Sequence, residues 1–514
     1  MNVLVLEDEE EWRDLISGIL RSSGYRNLYL PPDITNAEKL VDSIVFDLIV
    51  ADLCLEDSQN PENAALAGIQ FLNRAKEERN RYAATVILTA HPAYEGLDTY
   101  VGRHHLHRVL PKANFSPHYL LDIIQEEIFQ SRLAAARDFQ EDNYALTIQV
   151  FGDSWRGCWL EGPNFDYYMA KWPLPWDPDP HSTEADQIGT ILRNQSIPAS
   201  TWRQMARGVG DDLFREVLQE KEIGRFVDRL FHANTRNGPT TLRFSGPKEG
   251  LRVPFELIRR QGCFLGLQHV ISRQIFGREI LRRHSERNFS KFFGRFFRRT
   301  EQFRILLIGA DAAGTEYALR NIEEEIQIVE AIAKKELGQF MGVRTHVESL
   351  IGREATPGRI KSLIQDGYHV FHYSGHGIFS KRNPELSGLV LWEGGQPKHV
   401  TASELQRLMM NSDLRLVFLN CCLAAQTAAD PQHGDFHGAI EAVIRAGVPW
   451  ALGHRWEVHD QSALRFAKFF YQNLWRSLNP ELSVLAARQL CAEEEPLKRD
   501  DPIWASSILV SQDH

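Results

Sequence analysis

The feature that most constrains this chain is an alternation: a short apolar run, then a chemically reactive residue, then an amphipathic run at helical spacing. In the first 130 residues it gives strand-like Asn2 to Leu6 before Glu9 to Arg21, Phe46 to Ala51 before Leu66 to Glu78, Thr85 to Leu88, and Arg108 to Leu110 before Ser116 to Phe129. Parallel strands need a crossover between them and helices usually supply it, so the pattern predicts a parallel α/β sheet. The alternation resumes at Phe303. It runs through a strand from Arg304 to Gly309, a helix from Ala318 to Lys335 and a strand from Tyr368 to Tyr373. A helix opened by the capping-box sequence Thr401-Ala402-Ser403-Glu404 follows, then a strand from Leu414 to Leu419 and a helix from His437 to Ala446.

In open α/β sheets functional groups gather beyond the carboxyl ends of the strands. In the first set those ends carry Glu7-Asp8, Asp52, Thr89 and Lys112. Clustered carboxylates repel one another unless a hard divalent cation joins them, and oxygen ligands favour magnesium. With the ion held by Glu7, Asp8 and Asp52, Asp52 is placed to attack a phosphoryl group while Lys112 neutralises the transferring charge. In the second set the strand ends deliver Tyr373-Ser374-Gly375-His376-Gly377 and Leu419-Asn420-Cys421-Cys422. A thiol becomes a useful nucleophile where a base favours its thiolate, and His376 is that base; it can then protonate a leaving amine. Gly377 has no side chain to block a substrate carbonyl. Its N–H and that of the cysteine form an oxyanion hole, worth about 3 kcal/mol per donor.

The length of 514 residues implies several domains, and 43% apolar with 25% charged residues is ordinary for a globular protein. A net charge of -10 gives no general reason to expect nucleic acid as a partner. The cysteines at 54, 158, 263, 421, 422 and 491 form no spaced framework, and no signal peptide precedes them. These features predict a cytoplasmic location, where thiols stay reduced. No apolar stretch is long enough to span a bilayer, so no membrane insertion is expected.

Over residues 1–130 the strand-end residues resemble the receiver domain of two-component response regulators. The resemblance implies a flavodoxin-like fold with a parallel five-stranded sheet. Asp52 is then the phosphoacceptor, Glu7 and Asp8 are magnesium ligands, Thr89 is the switch hydroxyl and Lys112 is the phosphate partner. It also implies a sensor histidine kinase or phosphotransfer protein as partner, and a homodimer through the receiver. Three features depart from the family. Ala113 follows the lysine where proline is usual, Val109 stands at the usual aromatic switch position, and the polar segment Leu53 to Ala67, with Pro61, is longer than the usual loop.

Over roughly 145–514 the chain resembles the CHAT peptidases, caspase-like proteins related to separase and more distantly to metacaspases. Besides the His376 and Cys422 segments, the resemblance rests on Val253-Pro254-Phe255-Glu256-Leu257 with Phe264-Leu265-Gly266-Leu267, read as paired short strands. It also rests on Gly447-Val448-Pro449, Gly453-His454-Arg455-Trp456 and Phe466 to Leu474. By position His376 is the general base, Cys422 the nucleophile and Cys421 a residue pointing into the core, with a protein substrate and no protease cofactor. Metacaspases carry aspartate two positions before the nucleophile, where this chain has the neutral Asn420. That argues against simple basic specificity unless Asp435 or Glu457 supplies the charge. Asn420 and Trp456 are the expected substrate-pocket residues, with His454 beside them.

The expected organisation is a receiver over 1–130, a connector helix over 131–144, and an N-terminal part of the CHAT region over 145–302. A caspase-like α/β/α sandwich follows over 303–514. Between Arg273 and Arg304 ten basic residues outnumber three acidic ones, with Phe289, Phe292, Phe293, Phe296 and Phe297 at helix-like spacing. The favoured reading of segment 273–304 is a connector whose phenylalanines dock on the parent domain. Binding to nucleic acid or an acidic membrane, and autoprocessing, are the alternatives. The two modules together predict a phosphorylation-regulated cysteine endopeptidase. The alternative is a non-proteolytic signalling scaffold.

Overall fold

A computed structural model of the chain describes residues 1–53, 55, 61–77, 79–90, 109–142, 145–151, 155–162, 165–172, 179–193, 197–219, 224, 227, 239–246, 252–275, 288–297, 300–311, 319–380, 386–422, 428–429, 436–493 and 502–512. These residues divide into two compact units.

Unit 1 comprises Met1–Arg137 with Phe296–Thr300 and Lys335–Arg344. Its sheet is wholly parallel, in the order Asn27–Tyr29, Asn2–Leu6, Leu48–Asp52, Ala84–Thr89, Val109–Pro111. This is the flavodoxin-like 2-1-3-4-5 order, whose switch point lies between the first and third strands. Leu48–Asp52 and Ala84–Thr89 are buried throughout, as strands covered by helices on both faces must be. The expected connector 131–144 begins as the second half of a single helix, Pro117–Asp142. Unit 1 ends within that helix, at Arg137. The two later segments complete the unit. Arg132 pairs with Glu336 at 3.0 Å, Phe129 stacks on Phe297 at 4.3 Å and Tyr25 packs on Phe340 at 5.0 Å.

Unit 2 is built on an eleven-stranded sheet. Five parallel strands run Thr345–Ile351, Phe303–Gly309, Val370–Ser374, Leu416–Asn420, Trp450–His454. Ser507–Gln512 then pairs antiparallel, followed by Val270–Ile275, Thr241–Gly246, Ala145–Phe151, Trp155–Gly162 and Phe165–Trp172. The regions 145–302 and 303–514 therefore share one sheet, in a mixed α/β fold. Register sets the site: Tyr373 lies opposite Leu419 and Ser374 opposite Asn420, so the histidine and cysteine strands end level with each other.

One local expectation changes. The expected strand pair at 253–257 and 264–267 is instead two 3-10 turns, Phe255–Leu257 and Leu265–Leu267, flanking a two-residue ladder of Arg259–Arg260 with Cys263–Phe264. Gln261 and Gly262, with φ of 50° and 86°, make the tight turn that closes this ladder. In the basic aromatic segment, Phe289–Phe293 is helical and Phe289, Phe292, Phe293 and Phe296 are buried. Arg273 is also buried, paired with Glu256, so it is not an exposed cleavage point. Residues 276–287 and 298–299 lie outside the described residues. No described helix is long and apolar enough to cross a membrane.

Candidate active site

His376 follows the strand Val370–Ser374 across one glycine, and Cys422 stands two residues beyond the strand Leu416–Asn420. Both line one small cavity with Gly375, Asn420, Cys421, Glu325, Val458 and Asp460. The histidine turn is braced from below by the hydroxyl of Tyr373, 2.9 Å from the His376 carbonyl and 2.7 Å from that of Val390. Gly377 is pressed against the nucleophile's backbone. A Cβ there would lie 2.1 Å from the Cys422 carbonyl oxygen and 3.0 Å from the Cys421 sulfur, so only glycine fits without displacement. Cys421 is 2% exposed and belongs to the core, whereas Cys422 is half-buried on the cavity.

The Cys422 sulfur accepts the Val458 N–H at 3.4 Å and lies 3.7 Å from the Val458 carbonyl. Burial raises its pKa, the Val458 contact lowers it, and Glu457 and Asp460 raise it further. The net direction is upward, so the resting form is the thiol, and a base must remove its proton before attack.

Beneath the nucleophile runs a buried polar string. The Glu325 Oε1 accepts from His372 Nε2 at 2.8 Å and from Asn420 Nδ2 at 2.6 Å. Asn420 Nδ2 also donates to the Ala463 carbonyl at 3.1 Å, and its Oδ1 accepts from His454 Nε2 at 2.7 Å. Burial lowers the His454 pKa to about 3, so its ring is neutral and Nε2 is the donor. Asn420 lines the cavity, and its amide is fully engaged by the protein. Trp456 does not line the cavity. It is 0% exposed, donates Nε1–H to the Ala185 carbonyl at 3.0 Å and packs in the second core of unit 2. It lies two residues past the strand end at His454, and the Ala185 carbonyl and that core hold its indole. Asp435 lies outside the described residues. Glu325 and Asp460 are the cavity residues that the sequence did not assign to the site. Their only linear signal is Glu325 in the acidic first turn of the helix Ile322–Ala333.

In unit 1 the strand ends bring Glu7, Asp8, Asp52 and Lys112 together. Lys112 Nζ lies 2.7 Å from Asp52, 2.9 Å from Glu9 and 3.0 Å from Glu7. The Trp12 ring sits 5.2 Å from the same ammonium, and neither Trp12 nor Glu9 was singled out from the sequence. Glu7, Asp8 and Asp52 offer carboxylate oxygens all within 4.8 Å of one another. Burial and the Asp52 charge push Glu7 up to about 7, against the opposing pull of Lys112. Burial disfavours the Lys112 charge, but the hydrogen bonds with Asp52, Glu9 and Glu7 outweigh it and raise its pKa. This all-oxygen donor set fits a hard divalent cation. Thr89, fully buried, ends its own strand next to that of Asp52.

Three solved structures are similar to parts of this chain. A receiver-domain protein from Methanospirillum hungatei JF-1 aligns with 25% of this chain and 94% of its own, at 18% identity and a TM-score of 0.22. Separase, in its Saccharomyces cerevisiae complex with securin, aligns with 88% of this chain at 11% identity and a TM-score of 0.40; this chain spans 38% of that one. The Arg-specific cysteine proteinase gingipain R aligns with 64% of this chain and 69% of its own, at 12% identity and a TM-score of 0.36. No curated protein matches the chain. The CHAT domain model matches residues 209–512, more than half of the sequence, and that stretch carries His376, Gly377 and Cys422. By this match the chain belongs to the CHAT domain family.

Proposed function

We propose that this chain is a cysteine endopeptidase regulated by phosphorylation of its receiver-like N-terminal unit. The observation that carries the reading is the common cavity of His376 and Cys422, with Gly377 held against the nucleophile's backbone. His376 takes the proton of the Cys422 thiol, and the thiolate attacks the carbonyl carbon of a peptide bond in a protein substrate. The N–H groups of Gly377 and Cys422 receive the oxyanion. His376 then returns the proton to the leaving amine, and water hydrolyses the thioester. Replacing Cys422 by Ala is expected to abolish the appearance of new peptide ends when the full chain is incubated with candidate partner proteins and analysed by mass spectrometry. Identical new ends from wild type and Cys422→Ala would refute the reading.

In unit 1 Asp52 is the phosphoacceptor and Glu7, Asp8 and Asp52 would hold a magnesium ion, which would screen the phosphoryl charge. Lys112 passes from its carboxylates to the phosphoryl oxygens, and Thr89 supplies the switch hydroxyl. The partners are a sensor histidine kinase or phosphotransfer protein and a second copy through the receiver, in a reducing cytoplasm. Asp52→Ala is expected to remove any response of scission to a small-molecule phosphodonor.

The engaged, protonated Cys422 favours a second reading, a signalling scaffold that binds a protein through the CHAT fold without cutting it. Binding of a partner without scission, equal in wild type and Cys422→Ala, would support it.

A further inference from the structure

From the buried string under the cavity we infer that Glu325 is a positioning residue of the peptidase site, acting through Asn420 on the strand end that presents Cys422. The inference rests on the reading of Cys422 as the nucleophile. A carboxylate 3% exposed is costly to bury unless donors meet it, and here two donors from two different strands converge on one oxygen. Glu325 stands in the first turn of its helix, after Asn321, where the helix dipole favours a negative group. Asn420 is the last residue of the nucleophile's strand, and every polar atom of its side chain is taken: both amide hydrogens by Glu325 and Ala463, the oxygen by His454.

This arrangement fixes more than packing requires. The carboxylate can only accept, so it dictates that the nitrogen of the Asn420 amide faces it and the oxygen faces His454. The amide is thereby locked in one orientation two residues before the reacting sulfur. Its anchor is a helix separate from the histidine and cysteine strands. A reacting group held by such a supporting contact loses rate when the contact loosens by a fraction of an ångström.

The test uses the full chain and two reagents at Cys422, with tandem mass spectrometry separating its adducts from those of Cys421. Iodoacetamide needs only a thiolate, whereas a peptidyl acyloxymethyl ketone also needs its carbonyl held in line with the sulfur. The ratio of the two labelling rates therefore reads positioning and not thiol acidity. Glu325→Ala is expected to lower that ratio about 10-fold, and Asn420→Asp, which sets two carboxylates face to face, by a similar factor. The conservative variant Glu325→Gln keeps an oxygen that accepts from both Asn420 and His372. It is expected to keep the ratio within about threefold of wild type. An unchanged ratio in folded Glu325→Ala would overturn the inference. So would a Glu325→Gln variant no better than Asn420→Asp, and that pair decides the matter if Glu325→Ala does not fold. Wild-type Cys422 that takes iodoacetamide but never the ketone would overturn the peptidase reading and this inference with it. That pattern is distinct from labelled wild type with indifferent variants.

Discussion

The two units place their reactive groups in the same topological location, the carboxyl ends of neighbouring parallel strands, but hold them by opposite means. In unit 1 one ammonium is surrounded by Asp52, Glu9 and Glu7, and the excess negative charge suits a cation. In unit 2 the groups around Cys422 are tied to one another by short hydrogen bonds, with a neutral His454 and a protonated thiol. The first site is poised to change its charge by binding. The second must move a proton to become reactive. A parallel sheet supplies the place, and the side chains reaching the rim from other elements supply the chemistry.

The largest expected separation of the two units is in their response to pH. In unit 2 burial lowers the pKa of His454 to about 3, and those of His269 and His369 to about 4, so the folded form resists protonation. Between pH 6.5 and 4 the unfolded chain binds more protons than the folded one, and stability falls as pH falls, by an amount on the order of several kcal/mol. In unit 1 Glu7 has the opposite sign. Its pKa is raised to about 7, so from the ordinary carboxylate range up to that value the folded form holds the proton and stability falls as pH rises. Hydrogen-exchange protection followed peptide by peptide in the full chain from pH 4.5 to 7.5 should show unit 2 gaining and metal-free unit 1 losing. Parallel trends would break the comparison.

Removing the shared cation comes next. Lys112→Ala leaves Glu7 and Asp52 buried without it and is expected to destabilise unit 1 by about 3 kcal/mol. Added magnesium should recover part of this in a thermal melt. Gly377→Ala forces a Cβ against the Cys422 carbonyl and is expected to lower scission about 100-fold with little change in KM. Equal scission would remove Gly377 from the site. The smallest effect belongs to Trp456→Phe, which loses one buried hydrogen bond to Ala185 and should cost about 1 kcal/mol of stability. A change of cleavage preference in that variant would restore Trp456 to the pocket.

The alternation of apolar runs with amphipathic ones was enough to expect a parallel α/β sheet over the first 130 residues. The polar and charged residues that end those runs marked Glu7, Asp8, Asp52, Thr89 and Lys112 as strand-end groups. The capping box at Thr401 was equally plain, and the structure has it, with Glu404 Oε2 2.8 Å from the Thr401 N–H and Thr401 Oγ1 3.3 Å from the Glu404 N–H. These signals are local: each residue's neighbours along the chain set its backbone, and strand register carries its position to the rim. The histidine and cysteine segments were legible for the same reason.

Trp456 was misread because a residue just past a strand end turns either to solvent or to core according to what packs above it. Here the helix Asp179–Arg193, distant in sequence, supplies the Ala185 carbonyl that draws the indole inward. Glu325, His372 and His454 meet Asn420 or one another across separations of 34 to 95 residues, and none of those encounters leaves a trace in spacing. Which residues stand at the strand ends follows from the order of amino acids, because periodicity and turn chemistry act over a few residues. Which buried partners hold them follows from the folded chain alone, because hydrogen bonds in a low-dielectric interior are chosen by through-space geometry.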